Sequence, residues 1–278
     1  GRCYWLKCYE IPEGDKNFKG RAIQNMLNID PDDSVNALLR LRGLNDEEFV
    51  KSHYVVFATK NGTVKKTSLE AYSRPRTNGV NAINIVEGDE VVDVRLTNGK
   101  NEIILANRNG RAVRFDEDSI RTMGRVSTGV RGMKLDEGDD EVVGMIVVNN
   151  AETETVMVVS ENGYGKRSQV EDYRKTNRGG KGVKTFSITE KTGRLVAIKN
   201  VTDDNDLMII NKSGIAIRLA VSECRVMGRA TQGVRLINLS KKNDVIASVC
   251  KVMSSEKEAD VEGDKDDETS QPLNPPTA

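Results

Sequence analysis

Histidine is almost absent: His53 is the only one in 278 residues. That removes most routes to a Ser-His or Cys-His nucleophile and to histidine-rich metal centres. His53 itself precedes the apolar run Tyr54-Val55-Val56-Phe57, where a strand-edge role is expected. Cysteine is scarce as well. Cys3, Cys8, Cys224 and Cys250 form no Cys-x-x-Cys pair, and a disulfide framework needs a higher density, so free thiols in a reducing compartment are expected. Aromatic residues make up only 4%, which leaves no platform of the kind that stacks RNA bases. No apolar run approaches membrane-spanning length, and no signal peptide precedes Gly1. The chain opens without Met and is expected to be a fragment.

What is present is a soluble globular composition, 37% hydrophobic and 30% charged, long enough for a sizeable core. The formal net charge of zero hides an asymmetry. Glu256 to Glu268 holds eight acids against Lys257 and Lys265, leaving 40 basic and 34 acidic residues in 1–255. A moderately basic body therefore carries an acidic tail. Residues 254–278 are polar and end in Pro272-Leu273-Asn274-Pro275-Pro276, so this tail is expected to be disordered.

Two glycine anchors recur along the body. The first opens Gly1-Arg2-Cys3-Tyr4, Gly62-Thr63-Val64-Lys65-Lys66, Gly110-Arg111-Ala112-Val113-Arg114, Gly163-Tyr164-Gly165-Lys166-Arg167 and Gly214-Ile215-Ala216-Ile217-Arg218. The second opens Gly20-Arg21-Ala22-Ile23, Gly79-Val80-Asn81-Ala82, Gly129-Val130-Arg131-Gly132, Gly182-Val183-Lys184-Thr185 and Gly233-Val234-Arg235-Leu236. The two anchors lie 19, 17, 19, 19 and 19 residues apart in successive copies. A period near 50 residues with this regularity is the signature of a repeat architecture.

Each copy reads as about four short strands; in the second they are roughly Tyr54–Thr59, Thr63–Thr67, Val80–Ile85 and Val91–Thr97. Asn-Gly or Ser-Gly at the first hairpin supplies the positive φ of a tight turn. Four-stranded units at this spacing predict an all-β, propeller-like fold with little helix. The repeats fall near 1–50, 51–100, 101–150, 151–203 and 204–253, the first lacking its leading strand.

Cations recur in the loop between the anchors: Lys16 and Lys19; Arg74 and Arg76; Arg121 and Arg125; Arg174, Lys175, Arg178 and Lys181; Arg225 and Arg229. A second row, Lys66, Arg114, Arg167 and Arg218, follows each hairpin glycine by four residues, with Lys65 and Lys166 one place earlier. One such loop alone reads as a solvated polar face. Five in register suit a curved polyanion, bound through its phosphates and with strong salt dependence. In Arg178-Gly179-Gly180-Lys181-Gly182 the glycines allow close approach to a phosphate, with a flexible loop tip as the alternative. No Gly-Lys-Ser/Thr follows, so this is not a P-loop.

The chain resembles the C-terminal domain of the bacterial DNA gyrase A protein over residues 1–253. The resemblance rests on Ala58-Thr59-Lys60-Asn61-Gly62-Thr63-Val64-Lys65-Lys66-Thr67, Val113-Arg114-Phe115, Thr128-Gly129-Val130-Arg131-Gly132, Glu161-Asn162-Gly163-Tyr164-Gly165-Lys166-Arg167, and Val226-Met227-Gly228-Arg229-Ala230-Thr231-Gln232-Gly233-Val234. It implies a six-bladed β-pinwheel with five blades present, the first incomplete, wrapping double-stranded DNA around a basic rim. It also implies a parent that is an ATP-hydrolysing, Mg²⁺-dependent type II topoisomerase in the bacterial cytoplasm. Its partners would be the rest of the gyrase A protein and the gyrase B protein in a heterotetramer. The fragment itself would catalyse nothing and need no cofactor. The family's Gln-Arg-Arg-Gly-Gly-Lys-Gly box lies on its first blade; here Thr176 and Asn177 replace its first two residues, in a late repeat. The alternatives are the matching domain of the topoisomerase IV A protein and an RCC1-like interaction scaffold. The acidic tail is expected to compete with DNA for the rim, or only to solubilise the chain.

Overall fold

Asn-Gly and Ser-Gly turns close four hairpins, at Gly62, Gly110, Gly163 and Gly214, with φ between 78° and 84°. The computed structural model describes residues 1–14, 19–30, 33–41, 43–239 and 244–254. Lys16 and the acidic tail from Ser255 onward lie outside the described residues. Among the described residues there is one α-helix, α1 (Glu47–Ser52), capped by the Asp46 carboxylate; everything else is strand, 3-10 turn or loop.

The first repeat contributes β1 (Arg2–Cys3). The second contributes β2 (Tyr54–Thr59), β3 (Thr63–Ser68), β4 (Val80–Asn81) and β5 (Val91–Thr97). The third contributes β6 (Glu102–Asn107), β7 (Arg111–Asp116), β8 (Val130–Arg131) and β9 (Val142–Val148). The fourth contributes β10 (Thr155–Ser160), β11 (Tyr164–Gln169), β12 (Val183–Lys184) and β13 (Leu195–Val201). The fifth contributes β14 (Asn205–Asn211), β15 (Ala216–Ala220), β16 (Val234–Arg235) and β17 (Ile246–Met253).

Every pairing between these strands is antiparallel, the isolated bridges Lys66 to Thr122, Arg114 to Lys175 and Arg167 to Val226 being parallel, but a repeat is not a blade. The sheets run β5-β2-β3-β8, β9-β6-β7-β12 and β13-β10-β11-β16, with a three-stranded β17-β14-β15 and a two-stranded β1-β4. The fourth strand of every complete blade thus comes from the following repeat. Each of repeats two to five does supply four strands, but the reading of one repeat as one four-stranded unit is corrected, because Val80–Ile85 shrinks to the two residues of β4 and pairs with β1 instead of its own hairpin. The four handovers share one register: Arg2 faces Asn81, Thr63 faces Arg131, Arg111 faces Lys184, and Tyr164 faces Arg235. At each, the hairpin glycine's carbonyl accepts from two donated amides, as from Gly132 and Met133 onto Gly62 (2.8 and 3.1 Å). A Cβ at Gly62 would sit 2.7 Å from the Met133 carbonyl oxygen, so only glycine admits the incoming strand.

The core lies between blades. Val56, Ala58 and Val64 of one blade pack with Ile103, Leu105, Phe115 and Met145 of the next. Ile104, Ala106 and Ala112 then pack with Val156, Val158, Tyr173 and Phe186. A further seam joins Met157 and Val159 to Leu207, Ile209 and Val221. A backbone hoop repeats on the inner side: Val142, Leu195 and Ile246 donate to the carbonyls of Lys60, Arg108 and Glu161 at 2.9, 3.0 and 2.8 Å.

Candidate nucleic-acid interface

Seven residues after each hairpin glycine the chain enters a 3-10 turn, beginning at Leu69, Glu117, Val170 and Val221. The cationic loop then crosses the blade of the preceding repeat. Met123, Thr176 and Met227 donate to the carbonyls of Lys66, Arg114 and Arg167 at 2.8, 2.9 and 2.8 Å. The residue four places after the hairpin glycine therefore holds the next repeat's loop through its main chain.

Its side chain holds the next repeat's turn. Arg114 donates to the carbonyls of Val170 and Tyr173 at 2.9 and 3.0 Å, and Arg167 to those of Val221 and Cys224 at 3.0 and 3.3 Å. Lys66 donates to the Glu117 carbonyl at 3.1 Å and pairs with the Glu117 carboxylate at 3.5 Å. Acids offset the buried charge, with Arg114 on Glu102 (2.6 Å) and Glu171 (3.2 Å) and Arg167 on Asp203 (2.7 Å). Burial works against the Arg114 charge, but the Glu102 and Glu171 hydrogen bonds outweigh it and leave its pKa raised. Arg218 bonds Asp206 and the Met253 carbonyl, both at 2.7 Å. Three of this row, Lys66, Arg114 and Arg167, are buried clamps between repeats.

Lys65 and Lys166, 0% and 1% exposed, are buried deeper still. The Lys65 ammonium donates to the carbonyls of Ala82 and Arg125, and that of Lys166 to the Gly228 carbonyl at 2.7 Å and Ser168 Oγ at 3.2 Å. Each pins a cationic loop from beneath. Burial pushes the Lys65 pKa down to about 8, helped by the nearby Arg125 charge. Burial does the same to Lys166, to about 8, with Asp172 opposing and Arg229 adding to the shift.

The loops are the exposed part. They are stitched into one strip by a repeating backbone bond, from Asn84, Lys134 and Ser187 to the carbonyls of Ser127, Gly180 and Thr231 at 3.1, 3.0 and 3.1 Å. Arg178 donates to the carbonyls of Ser119 (2.8 Å) and Arg131 (2.9 Å), and its counterpart Arg229 donates to that of Lys184. In the glycine run, the Gly179 amide is taken by the Gly132 carbonyl at 2.6 Å, with φ at 82°. That glycine pair serves the seam between loops.

Along the strip the cations differ in their local partners. Arg74, Arg76, Arg121, Arg174 and Arg225 are exposed, and their side chains make no hydrogen bond or ion pair with any described residue. Arg125 and Lys19 are likewise unpaired among the described residues, Arg125 half-buried and Lys19 exposed. Lys175 is paired with Glu102 (2.6 Å) and Asp116 (2.9 Å), and Lys181 with Asp136 (2.9 Å). The Lys181 hydrogen bond holds the Asp136 carboxyl below its ordinary range. Sequence reading passed over a third set: Arg131, Lys184 and Arg235, one exposed cation at the same place on each of three donated strands. Their signal was there, two residues after the second anchor glycine. Arg235 also bonds the Tyr164 hydroxyl at 2.9 Å.

Among the described residues no cluster of His, Cys, Asp or Glu is arranged to hold a metal, and no helix is long and apolar enough to cross a membrane. What the arrangement offers is a rigid, periodic row of cations fixed from below.

A family model described as the DNA gyrase C-terminal domain, beta-propeller, matches residues 1–42, 53–98, 101–149, 154–202 and 205–250. The DNA gyrase A protein of Staphylococcus aureus strain MRSA252 is 42% identical over 269 residues, 97% of this chain and 29% of the relative. The protein of the same name from strain NCTC 8325 is 44% identical over 252 residues, 91% of this chain and 28% of the relative. The chain thus spans less than a third of these relatives. Among solved structures, the C-terminal domain of DNA topoisomerase IV superposes with a TM-score of 0.82 at 26% identity, covering 97% of this chain and 81% of that one. A DNA gyrase A C-terminal domain superposes with a TM-score of 0.78 at 24% identity, covering 91% and 80%; at that identity the likeness is one of fold.

Proposed function

Because the chain belongs to the DNA gyrase C-terminal domain family, we propose that it binds double-stranded DNA along the stitched strip of loops and wraps it. The observation that carries the reading is the register of the strip. Equivalent loops present Arg121, Arg174 and Arg225 at one place in successive repeats, each unpaired with any described residue and each on a loop anchored from below. Anchored cations lose little freedom when a phosphate arrives, and each one engaged releases counterions. Contacts of this kind go to the backbone, so binding is largely independent of sequence. Bending a duplex over about 20–30 base pairs costs on the order of 1–6 kcal/mol, which a continuous track of contacts offsets.

In the parent protein this wrapping supports negative supercoiling by a heterotetramer of two gyrase A and two gyrase B proteins in the bacterial cytoplasm. ATP and Mg²⁺ are used elsewhere in that assembly. The acidic tail, eight acids against two lysines, competes with DNA for the strip. The test is topological. Relaxed circles closed by ligase on the protein should carry a changed linking number, and truncation after Ser254 should enlarge the change or leave it. Binding without any change in linking number would overturn wrapping.

A second reading has its own support. The superposition on the topoisomerase IV domain is the higher of the two, at 0.82 against 0.78. On that reading the strip guides substrate choice without strong wrapping, and the same ligase experiment separates the two.

A further inference from the structure

One place in the repeats alternates between charge and hydrocarbon. The residue three places after the hairpin glycine is Lys65, Val113, Lys166 and Ile217 in the second to fifth repeats. Val113 is buried in the seam between two blades. Lys65 and Lys166 are buried as deeply at the same place. Each turns its ammonium to the underside of a strip loop. Lys65 donates to the carbonyl of Arg125 at 2.7 Å, and Lys166 to that of Gly228, the residue before Arg229, also at 2.7 Å. Twice, then, a half-buried guanidinium of the strip stands directly over a buried ammonium.

The groups around each ammonium leave its charge without a partner of opposite sign. Beside Lys65 lie the Phe57 ring at 5.3 Å, the Ala82 carbonyl, and the Tyr72 hydroxyl, which donates to that same carbonyl at 3.1 Å. Burial keeps Tyr72 and its neighbour Cys3 neutral, raised to about 12 and about 11. Beside Lys166 lie Ser168 Oγ at 3.2 Å, the Tyr173 hydroxyl, likewise raised to about 12, and the charges of Asp172 and Arg229. Asp172 is exposed, and neither lysine forms an ion pair with a carboxylate among the described residues. A buried ammonium held by neutral groups and facing a second cation gives up its proton easily. Both lysines are lowered to about 8, by burial first and by the Arg125 or Arg229 charge in addition, with Asp172 opposing at Lys166.

Resting on the reading of the strip as the duplex-binding surface, we propose that Lys65 and Lys166 are positioning residues that take up protons from solvent when a duplex binds. A phosphate arriving at Arg125 or Arg229 cancels the repulsion that the guanidinium exerts on the ammonium beneath it. Once protonated, the ammonium holds the loop carbonyl by a charge-assisted hydrogen bond, about twice as strong as a neutral one. Binding therefore raises the pKa of each lysine. Affinity is level below the free chain's value near 8 and falls as pH rises above it. The loop of the fourth repeat, with Val113 in place of the lysine, has no such proton to take up. Its Arg178 is fixed instead by its own bonds to the carbonyls of Ser119 and Arg131.

The test is titration calorimetry of a mixed-sequence duplex into the 278-residue chain, repeated in buffers of different ionisation heat to read the protons taken up. Uptake should be near zero at pH 7 and about one to two protons per chain at pH 9, with affinity falling about tenfold between pH 8 and 9. Lys65→Met combined with Lys166→Met should abolish both the uptake and the fall. Lys166→Met alone should halve the uptake, which keeps the comparison if the double variant fails to fold. Arg125→Ala combined with Arg229→Ala should weaken binding and abolish the uptake with both lysines still in place. Tight binding at pH 7 without proton uptake at pH 9 would overturn the proposal, and so would uptake that the two methionines leave intact. No duplex binding at pH 7 would overturn the reading of the strip, and this proposal with it.

Discussion

Arg167 and Arg174 look alike in sequence, each a cation recurring at a fixed place in the repeats, and they should fail in opposite ways. Arg167 is buried and donates to Thr155 Oγ1 (3.0 Å), Asp203 (2.7 Å) and the carbonyls of Val221 and Cys224. Arg167→Ala strands the two carbonyls and the hydroxyl. Asp203 is 75% exposed and regains water, so its charge adds little. Charged hydrogen bonds at about 1.5–3 kcal/mol each put the loss at about 3–5 kcal/mol. For a chain of this size, at about 2–4 °C per kcal/mol, that is a fall in Tm of roughly 6–20 °C. Duplex affinity, measured by anisotropy well below the variant's Tm, should keep its salt slope. Arg174→Ala should leave stability within about 0.5 kcal/mol and lower the salt slope by about one. If Arg167→Ala melts like the parent while its slope drops by about one, the clamp assignment is refuted and that arginine reaches DNA.

Other expectations follow from the same contacts. Asp136→Asn frees Lys181 from its carboxylate partner and should tighten duplex binding and steepen the salt slope by up to about one; an unchanged slope would place Lys181 off the DNA path. Lys65 and Lys166 are depressed to about 8 in the fold against an ordinary 10.5, so the unfolded chain binds more protons between those values and stability should rise with pH there. Tyr72 and Tyr173, raised by burial to about 12 from 10, oppose this above pH 10, so denaturant midpoints should climb from pH 8 to 10 and then level or fall. Changing both lysines to Met should flatten the climb; a climb that persists unchanged assigns it elsewhere. Phe186→Ala opens the seam between the third and fourth blades and should cost about 3–5 kcal/mol in urea unfolding.

The hairpins were legible because their signals are local. Asn-Gly followed by an alternating run needs only a few residues to specify turn and register. The handover was not, because a two-residue strand such as Val130–Arg131 carries no period, and nothing in its neighbourhood names the partner 66 residues back. The mixed fate of the cations has another cause. A strand with one face in water shows its buried positions by alternation, yet β3 and β11 are covered on both faces by neighbouring blades and bury Lys65 with Lys66, and Lys166 with Arg167. Once both faces are covered, a lysine in a strand no longer signals water. The loop cations had no such ambiguity, since their neighbours Pro75, Gly124, Gly180 and Gly228 lie in no strand.

The donated strands also set the order of events as the chain leaves the ribosome. The hairpin of β2 and β3 is complete once Ser68 has emerged, but its sheet waits for Val130. At about 5–20 residues per second that wait is roughly 3–13 s. An uncovered edge therefore travels one repeat behind synthesis, sealed at each step by the chain that follows.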